Sequence, residues 1–381
     1  MVRFSGRKDK VIAIDASRAF VHERTGIEEY AYQVVKHLRI SLAQHPIVLY
    51  VRFRGEAARH PRTWIAQHFF VLPDAWEVRV VLCRRLWTQC GLALALWRDR
   101  PAVLFVPAHT VPWIHPRKTI VVVHGLEYEM TPRAYSMWAR FYMRMTIKAS
   151  CRWASQIITV SENTKRDVMQ LYGIDKQKMT VIYEGVNVPD ANYDDKKCCE
   201  KLPYFLFIGR LEERKNIVRL ILAFTHFKRM TRSSHQLILA GGRGYGFAHV
   251  AATVATSPYR DDIIMPGFVT ERKKWRLLRH TTAFLFPTLY EGFGLPVLEA
   301  QSVGVPVITS ALSSLPEVVG TGRDASALVV DPLNVNAIAA AMEQVLNPVV
   351  RHDIIAKGYR NTERFTWAQC ADAIAHTLIR M

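Results

Sequence analysis

A chain of 381 residues, half of them hydrophobic, is too long for one ordinary core and too evenly composed for a disordered or low-complexity protein. Its formal charge of +18 is weighted toward residues 1–150, which hold 23 Lys+Arg against 11 Asp+Glu; attraction to nucleic acid, a membrane surface or a phosphorylated substrate follows. No apolar run nears the roughly 18 residues of a membrane span, the six cysteines lack metal spacing, and the basic N-terminus passes into a strand-like run rather than a signal-peptide core, so a cytoplasmic protein with reduced thiols is expected.

Short β-rich runs alternate with helical periods. The first strand, "VIAID", leads to "RTGIEEY", where Gly26 precedes a helix and leaves room for backbone N–H groups to reach a phosphate or a sugar. "IVLYVRF", "AVLFV", "TIVVVH" and "QIITVS" are the remaining strands of the first half. His124 closes "TIVVVH". At the end of a parallel strand it either packs or faces a ligand.

The helix "AYSMWARFYMRMTIKASCRW" repeats a cation every fourth residue: Arg140, Arg144, Lys148 and Arg152. Trp138, Phe141, Tyr142 and Met145 form a neighbouring stripe. The stripe is expected to pack into the core; the cations are either solvated or in peripheral contact with anionic lipid headgroups.

The polar segment "VNVPDANYDDKKCCEKLP" is the expected boundary. It separates an N-terminal domain over residues 1–190 from a C-terminal domain over 200–365; a helix over 366–381 is expected to pack back toward the first. The second half continues with "YFLFIG", "QLILAG", "IIMPGF", "AFLFP", "PVITS" and "ALVV". Continuous apolar strands separated by helices imply two α/β, Rossmann-like, doubly wound parallel sheets, their strand-end loops facing across a cleft.

The motifs with chemistry follow strands. After "YFLFIG" come Gly209, Arg210 and Lys215, with a helix starting near Asn216. Two cations beside a helix N-terminus suit a diphosphate, although a solvated basic loop has the same composition. "GGRGYG" lacks the G-x-G-x-x-G spacing of a dinucleotide site, which argues against a nicotinamide-linked oxidoreductase; its glycines serve close backbone approach, near a nucleotide base. In "YEGFGLPVLEA", Gly292 and Gly294 break regular structure, Pro296 suits a first helical turn, and Gly304 stops the helix. Glu291 at the turn and Glu299 further along can face one ligand; the bland alternative is a surface turn with a solvated carboxylate.

Taken together, "FIGRLEERKN", "LAGGRGYG", "YEGFGLPVLEA", "GVPVITS", "SSLPEVVG" and "ALVVDP" resemble, in order and spacing, the retaining glycosyltransferases of family 4, which have the GT-B fold. "IDASRAFVHERTGIEEY", "VVVHGLE" and "ITVSENTKRDV" are similar to the branch containing O-antigen mannosyltransferases. The resemblance implies that Glu299 binds the donor's ribose hydroxyls and Glu291 lies beside the donor sugar. Backbone N–H groups of Gly292, Phe293, Gly294 and Leu295 would meet sugar and diphosphate. Arg210 and Lys215 would stabilise the leaving diphosphate, His124 would stand near the reacting sugar, and Gly26 would belong to a loop closing over the donor.

The implied function is transfer of a hexose, mannose from GDP-mannose being the leading choice over UDP- or dTDP-sugars, to a saccharide acceptor carried on a lipid. No metal and no cofactor beyond the nucleotide-sugar substrate are expected, since fixed cations and N–H dipoles can take the diphosphate charge. No nucleic-acid partner is expected: no binding module accompanies the charge. Two departures concern donor and acceptor identity, namely Glu28 and Glu29 where relatives have a small residue, and Gly125-Leu126-Glu127 where an Asp commonly follows the histidine.

Overall fold

The computed structural model describes residues 11–22, 24, 26–83, 85–188 and 202–381. They form two compact units. One holds the chain up to Glu129, Ser136–Gly185 and Trp367–Met381; the other holds Met130–Tyr135 and Val186–Thr366. Most of the boundary segment expected from sequence, with Cys198 and Cys199, lies outside the described residues.

The first unit is built on a seven-stranded parallel sheet. Its strands are β1 (Ile12–Asp15), β2 (Ile47–Val51), β3 (Trp76–Val80), β4 (Val103–Val106), β5 (Lys118–Val123), β6 (Gln156–Thr159) and β7 (Met179–Val181), in the order β3-β2-β1-β4-β5-β6-β7. The second sheet has β8 (Tyr204–Ile208), β9 (Gln236–Ala240), β10 (Ile263–Gly267), β11 (Ala283–Phe286), β12 (Val307–Ser310) and β13 (Leu328–Val330), in the order β10-β9-β8-β11-β12-β13. Both are Rossmann-like. Strand order reverses between β1 and β4 and between β8 and β11, and ligands of such sheets bind beyond the strand ends at that reversal.

The inner strands β1, β2, β4, β11 and β12 are buried end to end because helices cover both faces, and β5, β6, β8 and β9 are buried at all but one terminal residue. Two strands were not predicted, β3 and β7, and both are edges. β3 carries Glu77 and Arg79 and is buried fully only at Trp76; β7 has three residues. An edge strand needs no continuous apolar run, so its composition carries less signal.

The Trp367–Ile379 helix lies in the first unit against the Gly26–Ser41 helix. Ser41 Oγ donates to Asp372 at 2.5 Å, and the Tyr30 and Trp367 rings meet edge to face at 5.8 Å. The Met137–Trp153 helix departs from expectation. Ile147, Ser150 and Cys151 form its buried face, while Trp138 (81 % exposed), Phe141, Tyr142 and Met145 stand in solvent. The expected core stripe is therefore on the surface. Arg140 and Arg144 both reach the buried carboxylate of Glu129, at 3.2 and 2.6 Å.

In the second unit three strand-end loops are clipped together by Asn216. It takes the left-handed conformation (φ 61°) before the Ile217–Thr231 helix, and its Nδ2 donates to the carbonyls of Pro287 at 3.0 Å and Pro332 at 2.6 Å. Asn tolerates that backbone better than most residues. Asn216→Ala removes both bonds, strands two buried carbonyls and strains the backbone, so a loss of roughly 2–4 kcal/mol is expected in urea unfolding. Asn216→Gly relieves only the backbone and is expected to recover about 1 kcal/mol of it.

Candidate active site

The two strands that flank the reversal in the second sheet lead into a cluster of charge. β8 ends at Gly209 and runs into Arg210 and the 3₁₀ turn Glu213–Lys215; β11 ends at Phe286 and leads to Glu291. Lys215 Nζ meets Glu291 Oε1 at 2.6 Å, and Arg214 Nη1 meets the same oxygen at 3.2 Å. Both Lys215 and Glu291 are buried. Burial alone would raise the Glu291 pKa, but the two cations overcome it and hold the carboxyl below its usual value. Burial pulls Lys215 down from its ordinary pKa, with the attraction of Glu291 opposing it. Lys215 also lies 4.9 Å from the Phe286 ring centroid, a contact that suits a desolvated ammonium.

Arg214 was not singled out in the sequence, yet it braces the loop. Its guanidinium donates to the Tyr290 carbonyl at 2.6 Å and to Glu212 Oε1 at 2.8 and 3.1 Å, while its own carbonyl accepts from Leu289 N at 2.9 Å. Arg210 differs from both. It is exposed and makes no ion pair among the described residues.

The loop Glu291–Gly294 is held from the other side by serines that follow β12. Ser313 Oγ donates to the Glu291 carbonyl at 2.6 Å and accepts from its N–H at 3.1 Å; Ser314 Oγ donates to Glu291 O and Phe293 O at 3.0 and 2.7 Å. Gly294 (φ 124°) precedes the Leu295–Ser302 helix, and an added Cβ would stand 2.7 Å from Leu315 Cδ2. Pro296 occupies the first turn and Gly304 (φ 73°) follows the end. With Gly292, Phe293 and Leu295, this is the strand–turn–helix unit expected from the sequence, with the positive end of the helix dipole at the turn.

Glu299 sits in that helix and is not solvated. Its Oε1 meets Lys274 Nζ at 2.8 Å, from the Glu271–His280 helix, and Lys274 also pairs with Glu271 at 2.8 Å. Burial disfavours the Lys274 ammonium, but Glu299 and Glu271 outweigh it and raise its pKa. Lys274 is a second residue that the sequence reading missed.

The glycines of "GGRGYG" make a close backbone approach to a neighbouring loop. Leu211 N donates to Gly242 O at 2.8 Å and Gly244 N to Leu211 O at 3.0 Å, so this loop pairs with the 209–213 loop. A Cβ at Gly241 would lie 1.9 Å from the Gly209 carbonyl oxygen, and one at Gly244 would lie 2.7 Å from Glu212 Cβ. The close approach is to the loop that carries Arg210.

In the first unit His124 is buried at the end of β5. Its Nε2 lies 2.8 Å from the Pro107 carbonyl, which only accepts, so Nε2 carries a proton; its Nδ1 faces Glu184 Oε1 at 3.2 Å. Both ring nitrogens are thus engaged inside this unit. His109, beyond β4, packs edge to face on His124 at 5.4 Å; burial, and then His124, push its pKa down to about 3. Gly26 begins the Gly26–Ser41 helix with no atom within 4 Å of an added Cβ, so no local packing demands glycine there. Glu28 and Glu29 in that first turn pair with Arg18 and Arg24, each at 2.6 Å. Among the described residues, no group of three or more His, Cys, Asp or Glu has the arrangement of a metal site.

Known families account for both halves. Residues 24–189 match the model described as Glycosyltransferase Family 4, and residues 192–361 match Glycosyl transferases group 1. The O-antigen chain mannosyltransferase B of Escherichia coli is 30% identical over 66% of this chain and 68% of its own length. The O-antigen chain mannosyltransferase RfbU of Salmonella typhimurium is 28% identical over 64% and 68%. Among solved structures, a sucrose-phosphate synthase from Thermosynechococcus elongatus superposes with a TM-score of 0.73 at 17% identity, covering 97% of this chain and 98% of its own. WaaG, a glycosyltransferase of lipopolysaccharide biosynthesis, does so with 0.68 at 13%, covering 96% and 98%. These likenesses, with the two Rossmann-like sheets and the Glu291–Glu299 unit, place the chain in family 4 of the GT-B glycosyltransferases.

Proposed function

We propose that this glycosyltransferase moves mannose from GDP-mannose, with retention of anomeric configuration, to a saccharide acceptor carried on a lipid during assembly of a cell-surface polysaccharide. The observation that carries the reading is the buried Glu291 held by Lys215 and Arg214 at the sheet's reversal, followed at once by a helix N-terminus. The mannosyltransferase and O-antigen names of the relatives support mannose and a polysaccharide acceptor.

In the proposed reaction the bond from the anomeric carbon to the diphosphate oxygen breaks. The acceptor oxygen then bonds to that carbon on the same face, and its proton passes to the departing diphosphate. Positive charge develops on the sugar and negative charge on the leaving group. Glu291 would stabilise the first beside the sugar. Arg210, Lys215 and the N–H groups of residues 292–295 would stabilise the second, so the reaction would need no metal. Glu299 would hold the ribose hydroxyls, exchanging its bond to Lys274 for them. His124, its ring held by Pro107 and Glu184, is proposed to stand near the reacting sugar.

Incubation with GDP-mannose, UDP-glucose and dTDP-rhamnose, with and without lipid extract, tests the donor: lipid-stimulated release of GDP is expected, and release confined to UDP or dTDP would replace mannose in this reading. Arg210→Ala is expected to lower kcat by roughly 10²–10³, the range for removing one preorganised charge stabiliser. Turnover is expected to survive excess EDTA; complete loss restored by Mg²⁺ would show that the cations do not suffice.

The two glutamates are expected to fail differently. Glu299→Gln leaves Lys274 paired with Glu271 alone and weakens the ribose contact, so KM rises with little change in kcat. Glu291→Gln removes an interaction that strengthens in the transition state, so kcat falls. It also leaves Lys215 unpaired, at a cost of about 3–5 kcal/mol, which thermal unfolding reports separately. The reverse kinetic pattern would interchange their roles.

A further inference from the structure

We propose that the outward face of the Met137–Trp153 helix, with the adjoining Trp113–Ile114 loop, inserts into the interfacial layer of an anionic lipid bilayer. The helix shows its two faces plainly. Ile147, Ser150 and Cys151 anchor it to the unit. On the opposite side Trp138, Phe141, Tyr142 and Met145 fall within an arc of about 100° and are all exposed. Four large apolar side chains on one arc form the kind of contiguous patch that marks a binding surface.

A neighbouring loop carries further exposed apolar side chains. Val111 N donates to Ser150 Oγ at 2.9 Å, and the His115 ring stacks on Trp153 at 6.0 Å, which fixes the 111–115 loop beside the helix C-terminus. That loop exposes Trp113 (69 %) and Ile114.

The chemistry of the surround selects lipid over a protein partner. The whole Met137–Trp153 segment contains no Asp or Glu. Arg152 continues the apolar arc and Lys148 borders it, while Arg117 and Lys118 are exposed next to the loop. Tryptophan and tyrosine with cations at their margin match the layer where acyl chains give way to charged headgroups. Arg140 and Arg144 point to Glu129, so the anchoring is mainly apolar, with Lys148 and Arg152 adding attraction for anionic headgroups. Among the described residues no helix is long and apolar enough to cross a membrane, so contact through this face is contact in the interface plane. The purpose of such contact rests on the reading of a lipid-borne acceptor; the contact itself is measured without turnover.

Sedimentation with vesicles of phosphatidylethanolamine and phosphatidylglycerol, against phosphatidylcholine alone, tests it. The full chain is expected to bind the anionic vesicles and to keep part of that binding in high salt. Trp138→Ser/Phe141→Ser is expected to weaken binding at least about tenfold with an unchanged melting temperature, since both side chains are exposed. Arg140→Gln/Arg144→Gln is expected to weaken it by less than about twofold. Failure of the full chain to bind, or binding by the Trp138/Phe141 variant within about twofold of it, would overturn the proposal. So would a dimer that this variant breaks while no vesicle binding occurs, because a second copy would then cover the face. Vesicle binding without nucleotide release from any sugar donor would sink the functional reading and leave this one intact.

Discussion

A carboxylate taken out of water must be matched, and in the second unit that requirement organises the loops. Glu291 is buried; its partners Lys215 and Arg214 lie 76 and 77 positions earlier in the chain. Leaving any member uncompensated would cost several kcal/mol. The loops after β8 and β11 are therefore fixed to each other by electrostatics, and the serines after β12 fix the second of them again through its backbone. Asn216 adds the loop after β13. Four strand ends are tied around one charge cluster, and the helix that follows Gly294 has its start placed as a consequence.

The same economy governs Glu299. Two residues further along its helix, Gln301 donates from Nε2 to Ser326 and accepts from Asn361 Nδ2 at 2.9 Å, while Asn361 also donates to the Val318 carbonyl at 3.0 Å. This buried network is satisfied at each of those atoms and sets the rotation of the helix. Glu299 is thereby held toward Lys274 rather than left free in solvent.

Most of the fold was legible because the inner strands of a covered parallel sheet are continuous apolar runs, and each run read as a strand became one. The edges β3 and β7 were not, since one mixes charge with apolar residues and the other is three residues long. The Glu291 turn was legible because glycine and proline act locally, whereas Arg214 and Lys274 were not. Their importance lies in partners 77 and 25 positions away, and a lone cation in a basic protein carries no mark of its partner. The exposed stripe on the Met137–Trp153 helix shows the opposite failure. Periodicity reports that a helix has an apolar face, but not whether that face meets protein.

The paired loops after β8 and β9 also limit how this chain can change over generations. Gly241 and Gly244 each lie where any side chain would collide with the neighbouring loop, at the Gly209 carbonyl and at Glu212 and Arg210. Gly242, between them, has nothing within 4 Å of an added Cβ. Drift is thus open at one glycine and closed at its two neighbours, and an innovation that enlarges either closed position requires a matching retreat on the opposite loop. Descendants of this chain should vary there in concert, two loops inheriting as one unit.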